Sequence, residues 1–179
     1  MQEIILVKYG EMALKGMNKK TFEDILVKNI KRRIKSLGKT EITRAQSTIY
    51  IAPLDEFFDA DEAIERLKKV FGIAALCRAV VCEKDFEDIK SKSIEYLDEV
   101  LSYAKTFKVT AKRADKSFPM KSPEICRELG GVLLEKFPHL TVNVNDPEIT
   151  VTVEIRDTRR WGTACGYQRT GNASAFRRD

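Results

Sequence analysis

The chain has 179 residues, enough for one medium domain or two small ones. Hydrophobic residues make up 43% and charged residues 33%, a balance that fits a folded globular protein and excludes a disordered polymer. The net charge of +5 is modest in sum but segregated: residues 1–53 hold 11 Lys and Arg against 5 Asp and Glu, 54–103 hold 7 against 13, and 104–121 hold 6 against 1. Basic blocks of this kind suit a polyanion on one surface, and they equally suit solvated helix faces, so charge alone does not decide.

No apolar run reaches the roughly 20 residues that a membrane helix needs. The opening Met1-Gln-Glu-Ile-Ile-Leu-Val7 has strand length, with no basic leader and no small-residue cleavage site. The expected compartment is the cytoplasm, without a membrane partner. The four cysteines, Cys77, Cys82, Cys126 and Cys165, show no two-residue spacing, and His139 is the only histidine. Neither a zinc site nor any other metal is expected, and Cys77 and Cys82 read as small buried side chains.

Residues 3–9 form an apolar, β-branched strand, and Gly10 to Gly16 a loop. Asn18 is placed to cap a helix running to about Leu37, closed by Gly38. Along it Phe22, Ile25, Leu26, Ile30, Ile34 and Leu37 recur at spacings of three and four and share the buried face. Lys28, Arg32 and Lys35, with Lys31 beside them, fall on another face. Strands over 40–46 and 47–53 follow, then a helix from Ala60 to Val70 and a strand from Ile73 to Val81. The order β-α-β-β-α-β is that of a ferredoxin-like unit, over about residues 1–82.

The next unit opens with an acidic amphipathic helix over 85–104. Thr106 to Arg113 alternates Phe107, Val109 and Ala111 against Lys108, Thr110 and Lys112, as a half-buried strand does. Ser122-Pro123-Glu124 has the composition of a helix start, with a side-chain cap and an early carboxylate, and that helix runs to about Phe137. Gly130 and Gly131, inside it, read as a close-packing point. Strands over 140–145 and 149–156 are joined by Asn145-Asp-Pro-Glu148, a turn sequence. The unit reads α-β-α-β-β, and the whole chain α+β.

The stretch from Lys112 to Glu124 concentrates the chemistry. A basic strand end (Lys112, Arg113) enters a loop holding Lys116, Phe118 and Lys121, which leads into a helix N-terminus. Lys and Arg neutralise phosphates and release counterions. Free N–H groups and the positive end of a helix dipole favour a phosphate. Phe118 has two readings: stacking on an unpaired base, or packing back on the core with Pro119.

The Lys112–Glu124 stretch resembles the signature of the THUMP domain, an RNA-binding module of tRNA-modifying enzymes. Val7-Lys-Tyr-Gly-Glu-Met-Ala-Leu-Lys-Gly-Met-Asn-Lys-Lys-Thr-Phe-Glu23 resembles the start of the tRNA 4-thiouridine synthetase family, in which a ferredoxin-like domain precedes THUMP. Asn145-Asp-Pro-Glu148 with Val151-Thr-Val-Glu-Ile155 is similar to the last THUMP strands, so the resemblance spans about residues 1–157. It implies a ferredoxin-like domain over 1–82 and a THUMP domain over 83–157. It implies that such a front end holds the acceptor stem and 3′ end of tRNA, for a following domain that adenylates uridine 8 with ATP and Mg and receives sulfur from a cysteine desulfurase. Some members also serve thiamine thiazole synthesis, and THUMP of one subunit can present tRNA to its homodimer partner. By position, Lys112, Arg113, Lys116, Phe118 and Lys121 would contact the tRNA end, with Lys15, Lys19 and Lys20 near the backbone. Lys28, Arg32 and Lys35 either extend that track or are plain solvated charge.

The family's Ser-Gly-Gly-x-Asp-Ser nucleotide loop does not occur in these residues, so no catalytic residue and no cofactor are expected within the chain. Residues 158–179 do not resemble the family's linker and show no periodicity. They are expected to be an atypical tail, a truncated or frameshifted linker. A stand-alone THUMP adaptor without an attached catalytic domain is the alternative reading.

Overall fold

The computed structural model describes residues 1–10, 18–45, 47–157 and 161–169. They fall into two units, one Glu3–Cys77, the other Met1–Gln2 together with the chain from Arg78 onward.

In the Glu3–Cys77 unit the elements are β1 (Glu3–Tyr9), α1 (Lys19–Ile34), β2 (Thr40–Ala45), β3 (Thr48–Pro53), α2 (Ala60–Leu67) and the first part of β4 (Ile73–Val81). Strand order is β2-β3-β1-β4, with β3 antiparallel to both β2 and β1. That order, with both helices as crossovers, is ferredoxin-like, as the sequence implies. Asn18 caps α1, its side chain accepting the Thr21 N–H at 2.8 Å. Phe22, Leu26, Ile30 and Ile34 then pack with Ile5 and Val7 of β1 and Ile49 and Ile51 of β3 in one apolar core. Ile25, expected on the same face, is instead exposed. The helix tightens into a 3-10 turn at Lys35–Leu37, and α2 stops at Leu67 rather than Val70.

The second unit contains α3 (Phe86–Tyr96), α4 (Asp98–Ser102), β5 (Thr106–Arg113), α5 (Ser122–Lys136), β6 (Thr141–Val142), β7 (Ile149–Ile155) and β8 (Thr163–Arg169). The single helix expected over 85–104 is broken at Leu97 (φ −91°, ψ 0°). One turn earlier the buried Ser93 hydroxyl donates to the Ile89 carbonyl at 2.5 Å, a back-bond that competes with the helical ladder and bends it. β5 pairs in parallel with β6 and β7, β7 antiparallel with β8, and β8 antiparallel with the Arg78–Val81 end of β4. Phe107, Val151, Val153 and Ile155 on one sheet face pack with Ile89, Leu97, Ile125, Leu129 and Leu133.

Three expectations are corrected. The strand over 140–145 shrinks to Thr141–Val142, because Asn143 accepts the Asn145 and Asp146 N–H groups and turns the chain out of the sheet. Within the tail expected over 158–179, Thr163–Arg169 is a strand seated between β7 and β4, with Cys165 fully buried, while 158–160 and 170–179 lie outside the described residues. A lack of periodicity does not exclude a strand there: Thr163 and Cys165 are buried, and Ala164 and Gly166 fit because they are small. At Gly166 a Cβ would stand 2.3 Å from the Arg78 carbonyl oxygen, so only glycine permits this approach to β4. The Gly130–Gly131 pair is no close-packing point: a methyl on Gly130 would meet Val109 at an ordinary 3.8 Å, and on Gly131 nothing within 4 Å.

Candidate nucleic-acid interface

β5 delivers Lys112 and Arg113 to a loop whose shape is fixed from inside. The Ala114 N–H donates to the Ile155 carbonyl at 2.7 Å, continuing the β5–β7 ladder one step beyond the strand. Asp115, buried, accepts from the Ser117 N–H at 2.9 Å and from its hydroxyl at 2.6 Å, and it is ion-paired with Lys84. The hydrogen bonds from Lys84 first, then from Ser117, hold the Asp115 carboxyl well below the ordinary value of 3.8. The Phe118 N–H donates to the Asp115 carbonyl at 3.3 Å, closing a turn.

Two of the expected contact residues, Arg113 and Phe118, are turned toward the loop and the core by this geometry. Phe118 is 4% exposed and belongs to the apolar core, so its ring cannot stack on a base. Of the two readings left open by the sequence, packing wins because the turn at Asp115 points residue 118 inward. The half-buried Arg113 braces the same loop, Nη1 donating to the carbonyls of Lys116 at 3.1 Å and Phe118 at 3.0 Å. The loop therefore presents Lys112, Lys116 and Lys121 outward, all three exposed. Sequence reasoning missed Lys84 and Asp115 as organisers of the loop, and nothing in a residue 31 positions away signals that pairing.

The loop ends at α5. Lys121, not Ser122, is the N-cap, and no side chain caps the helix. Pro123 has no N–H to satisfy, and the Ile125 N–H is taken by the Lys121 carbonyl at 3.0 Å. The uncapped start leaves the N–H groups of Ser122 and Glu124 without a side-chain acceptor, next to the exposed lysine.

On the Glu3–Cys77 unit, Lys19 and Lys20 are exposed in the first turn of α1, which has no acidic residue. Cations at the positive end of a helix are disfavoured by its dipole. Their placement costs helix stability and favours an anion from outside. Lys15 lies outside the described residues. Among the described residues, no group of three His, Cys, Asp or Glu could hold a metal ion.

The site is thus a set of exposed cations beside an uncapped helix start, a geometry for holding phosphates. Family models match the chain in two stretches, the ThiI ferredoxin-like domain over residues 4–77 and the THUMP domain over residues 83–160. The chain is a ThiI ferredoxin-like domain followed by a THUMP domain. It is 48% identical to the "Probable tRNA sulfurtransferase" of Acetivibrio thermocellus over 159 residues, covering 88% of this chain and 41% of that protein. The protein of the same description from Alkaliphilus metalliredigens is 44% identical, with 88% and 40% covered. A crystal structure of a 4-thiouridine synthetase–RNA complex with bound ATP superposes with a TM-score of 0.74 at 33% identity, covering 94% of this chain and 42% of that one. The chain therefore spans about two fifths of the length of the curated relatives it matches. The THUMP unit carries Lys112, Lys116 and Lys121, and the ThiI ferredoxin-like unit carries Lys19 and Lys20. Among the described residues no helix is long and apolar enough to cross a membrane.

Proposed function

We propose that the chain is the tRNA-binding portion of a tRNA sulfurtransferase that makes 4-thiouridine at uridine 8. The observation that carries the reading is the rigid THUMP loop, which turns Phe118 and Arg113 inward and leaves Lys112, Lys116 and Lys121 around the uncapped start of α5. Such a surface neutralises phosphates and fixes orientation without reading bases. The identity with tRNA sulfurtransferases and the likeness to a synthetase–RNA complex support tRNA as the polyanion, and the family reading assigns its acceptor stem and 3′ end. The remaining steps follow from the family reading. A catalytic domain supplies the ATP- and Mg-dependent activation, a cysteine desulfurase supplies sulfur, and a homodimer presents tRNA from one subunit to the other. The compartment is the cytoplasm, and a link to thiamine thiazole synthesis belongs to the same reading. On this reading the chain holds tRNA and that domain carries out the thiolation.

The test is a tRNA titration of the full chain at several salt concentrations, repeated with tRNA lacking its 3′ end and with Lys112→Gln/Lys116→Gln/Lys121→Gln. The triple variant removes up to three phosphate contacts and should flatten the plot of log affinity against log salt by about 2 units. Loss of the 3′ end should weaken binding to the parent more than to the variant. An affinity that ignores salt, or that all three lysines leave untouched, defeats the assignment.

A further inference from the structure

A separate cationic surface lies on the ThiI ferredoxin-like unit, where a recess of about 870 Å³ is lined by Lys31, Arg32, Lys35, Lys39, Leu54 and Asp55. One wall is the end of α1. Lys31 and Lys35 stand four residues apart and project from the same side of the helix. The opposite wall is reached by a sharp reversal. After the 3-10 turn, Gly38 adopts φ 135°, a conformation that disfavours any side chain. A Cβ there would also lie 3.0 Å from Asp55 Oδ2 and 3.2 Å from Asp55 Cβ. Glycine is thus favoured by its dihedral, and any side chain there would also press on Asp55. Asp55 Oδ2 accepts the Lys39 N–H at 3.1 Å, and the Leu54 N–H donates to the Lys39 carbonyl at 2.8 Å, so the reversal is locked.

The charge in this recess has no internal use. Among the described residues no carboxylate pairs with Lys31, Lys35 or Lys39, while other cations of the unit are paired, Arg44 with Asp24 at 2.7 Å, Arg66 with Glu62 and Lys68 with Glu65. Asp55, the acidic side chain that lines the recess, is turned to the Lys39 backbone. The negative end of the α1 dipole accounts for cations in its last turn. It does not account for Lys39, which stands beyond the helix on the far wall. Like charges one helical turn apart repel, and an anion from outside relieves that repulsion.

We propose that this recess is a second docking surface for RNA, holding consecutive backbone phosphates between the end of α1 and Lys39 without reading base identity. It rests on the tRNA-binding reading above and adds a contact that the THUMP loop does not supply. A backbone is the occupant that fits. The cations are spread along two walls of an open recess, which matches a row of separated charges. A small phosphate compound would need polar groups converging in an enclosed, largely apolar pocket.

The experiment uses the full chain and fluorescently labelled tRNA, followed by anisotropy between about 50 and 200 mM salt. Four proteins are compared after circular dichroism confirms their folding: the parent, Lys31→Gln/Lys35→Gln/Lys39→Gln, Lys112→Gln/Lys116→Gln/Lys121→Gln, and Asp55→Asn. Asparagine keeps an acceptor for the Lys39 N–H while removing the negative charge. The expected result is a salt slope about 2 units shallower in the recess triple, tighter binding in Asp55→Asn, and an independent loss in the loop triple. Parent-like affinity and slope in the recess triple, with the loop triple weakened, overturns the recess and leaves the tRNA reading standing. A parent that shows no salt-dependent tRNA affinity overturns both.

Discussion

Phe118 illustrates how one side chain can be claimed by two kinds of physics. A ring beside three lysines suits a stacking platform, worth roughly 1–3 kcal/mol per base where it operates. At 4% exposure it instead fills the core under the loop. Truncation by Phe118→Ala is then expected to cost about 3–5 kcal/mol of folding stability, measured by urea unfolding, as a cavity does. A stability change near zero with weakened RNA binding would restore the stacking role. Asp115 gives the loop a pH dependence of known sign. Its folded carboxyl titrates below the ordinary 3.8 because Lys84 and Ser117 donate to it. The stabilisation is complete above the unfolded value and is lost as pH falls through the lower folded one. The melting-temperature gap between the parent and Asp115→Asn should therefore stay constant from about pH 7 to 5 and narrow below about pH 4. Other carboxylates are common to both proteins and cancel in the difference.

Among the elements, those with strong local signals were legible in the sequence. Asn18 announced α1, and the alternation of Phe107, Val109 and Ala111 announced β5. The elements that were misread depend on partners distant in sequence. β8 has no aliphatic residue larger than alanine in Thr163–Arg169, and it is a strand because β7 and β4 supply hydrogen-bonding edges on both sides. The break at Leu97 follows from a serine hydroxyl turned onto its own helix, which residue spacing does not show. The lysines of the interface were visible as a cluster, whereas the inward brace by Arg113 required the folded loop. Two glycine substitutions separate these effects. Gly131→Ala meets nothing within 4 Å and should stabilise α5 by about 0.4–1 kcal/mol. Gly166→Ala drives a methyl into the Arg78 carbonyl and should lower the melting temperature and speed hydrogen exchange in β8. Equal effects from the two would contradict the β4–β8 register.

On the scale of the molecule, the cysteines report folding rather than chemistry. All four are free thiols. Burial pushes Cys165 up to about 12 and Cys82 to about 11, so neither forms the thiolate that reacts. Alkylation of the native protein near pH 8, read by peptide mass spectrometry, should leave both unmodified, and denaturant should open both. Labelling of Cys165 without denaturant would mean that β8 detaches on its own. The charge distribution also acts at this scale. Each unit carries its own exposed lysines, Lys19 and Lys20 on one and Lys112, Lys116 and Lys121 on the other, and under the proposed function their contributions to binding tRNA multiply in affinity as their free energies add.

The pairing of β8 with β4 has a consequence for how the protein is made. Tyr167 is partnered with Arg78, so a strand synthesised early waits for one synthesised much later. On the ribosome, the THUMP sheet stays open along β4 and β7 until β8 emerges. A product halted after residue 157 would display two bare ladders, the surfaces on which unfinished chains stick to one another.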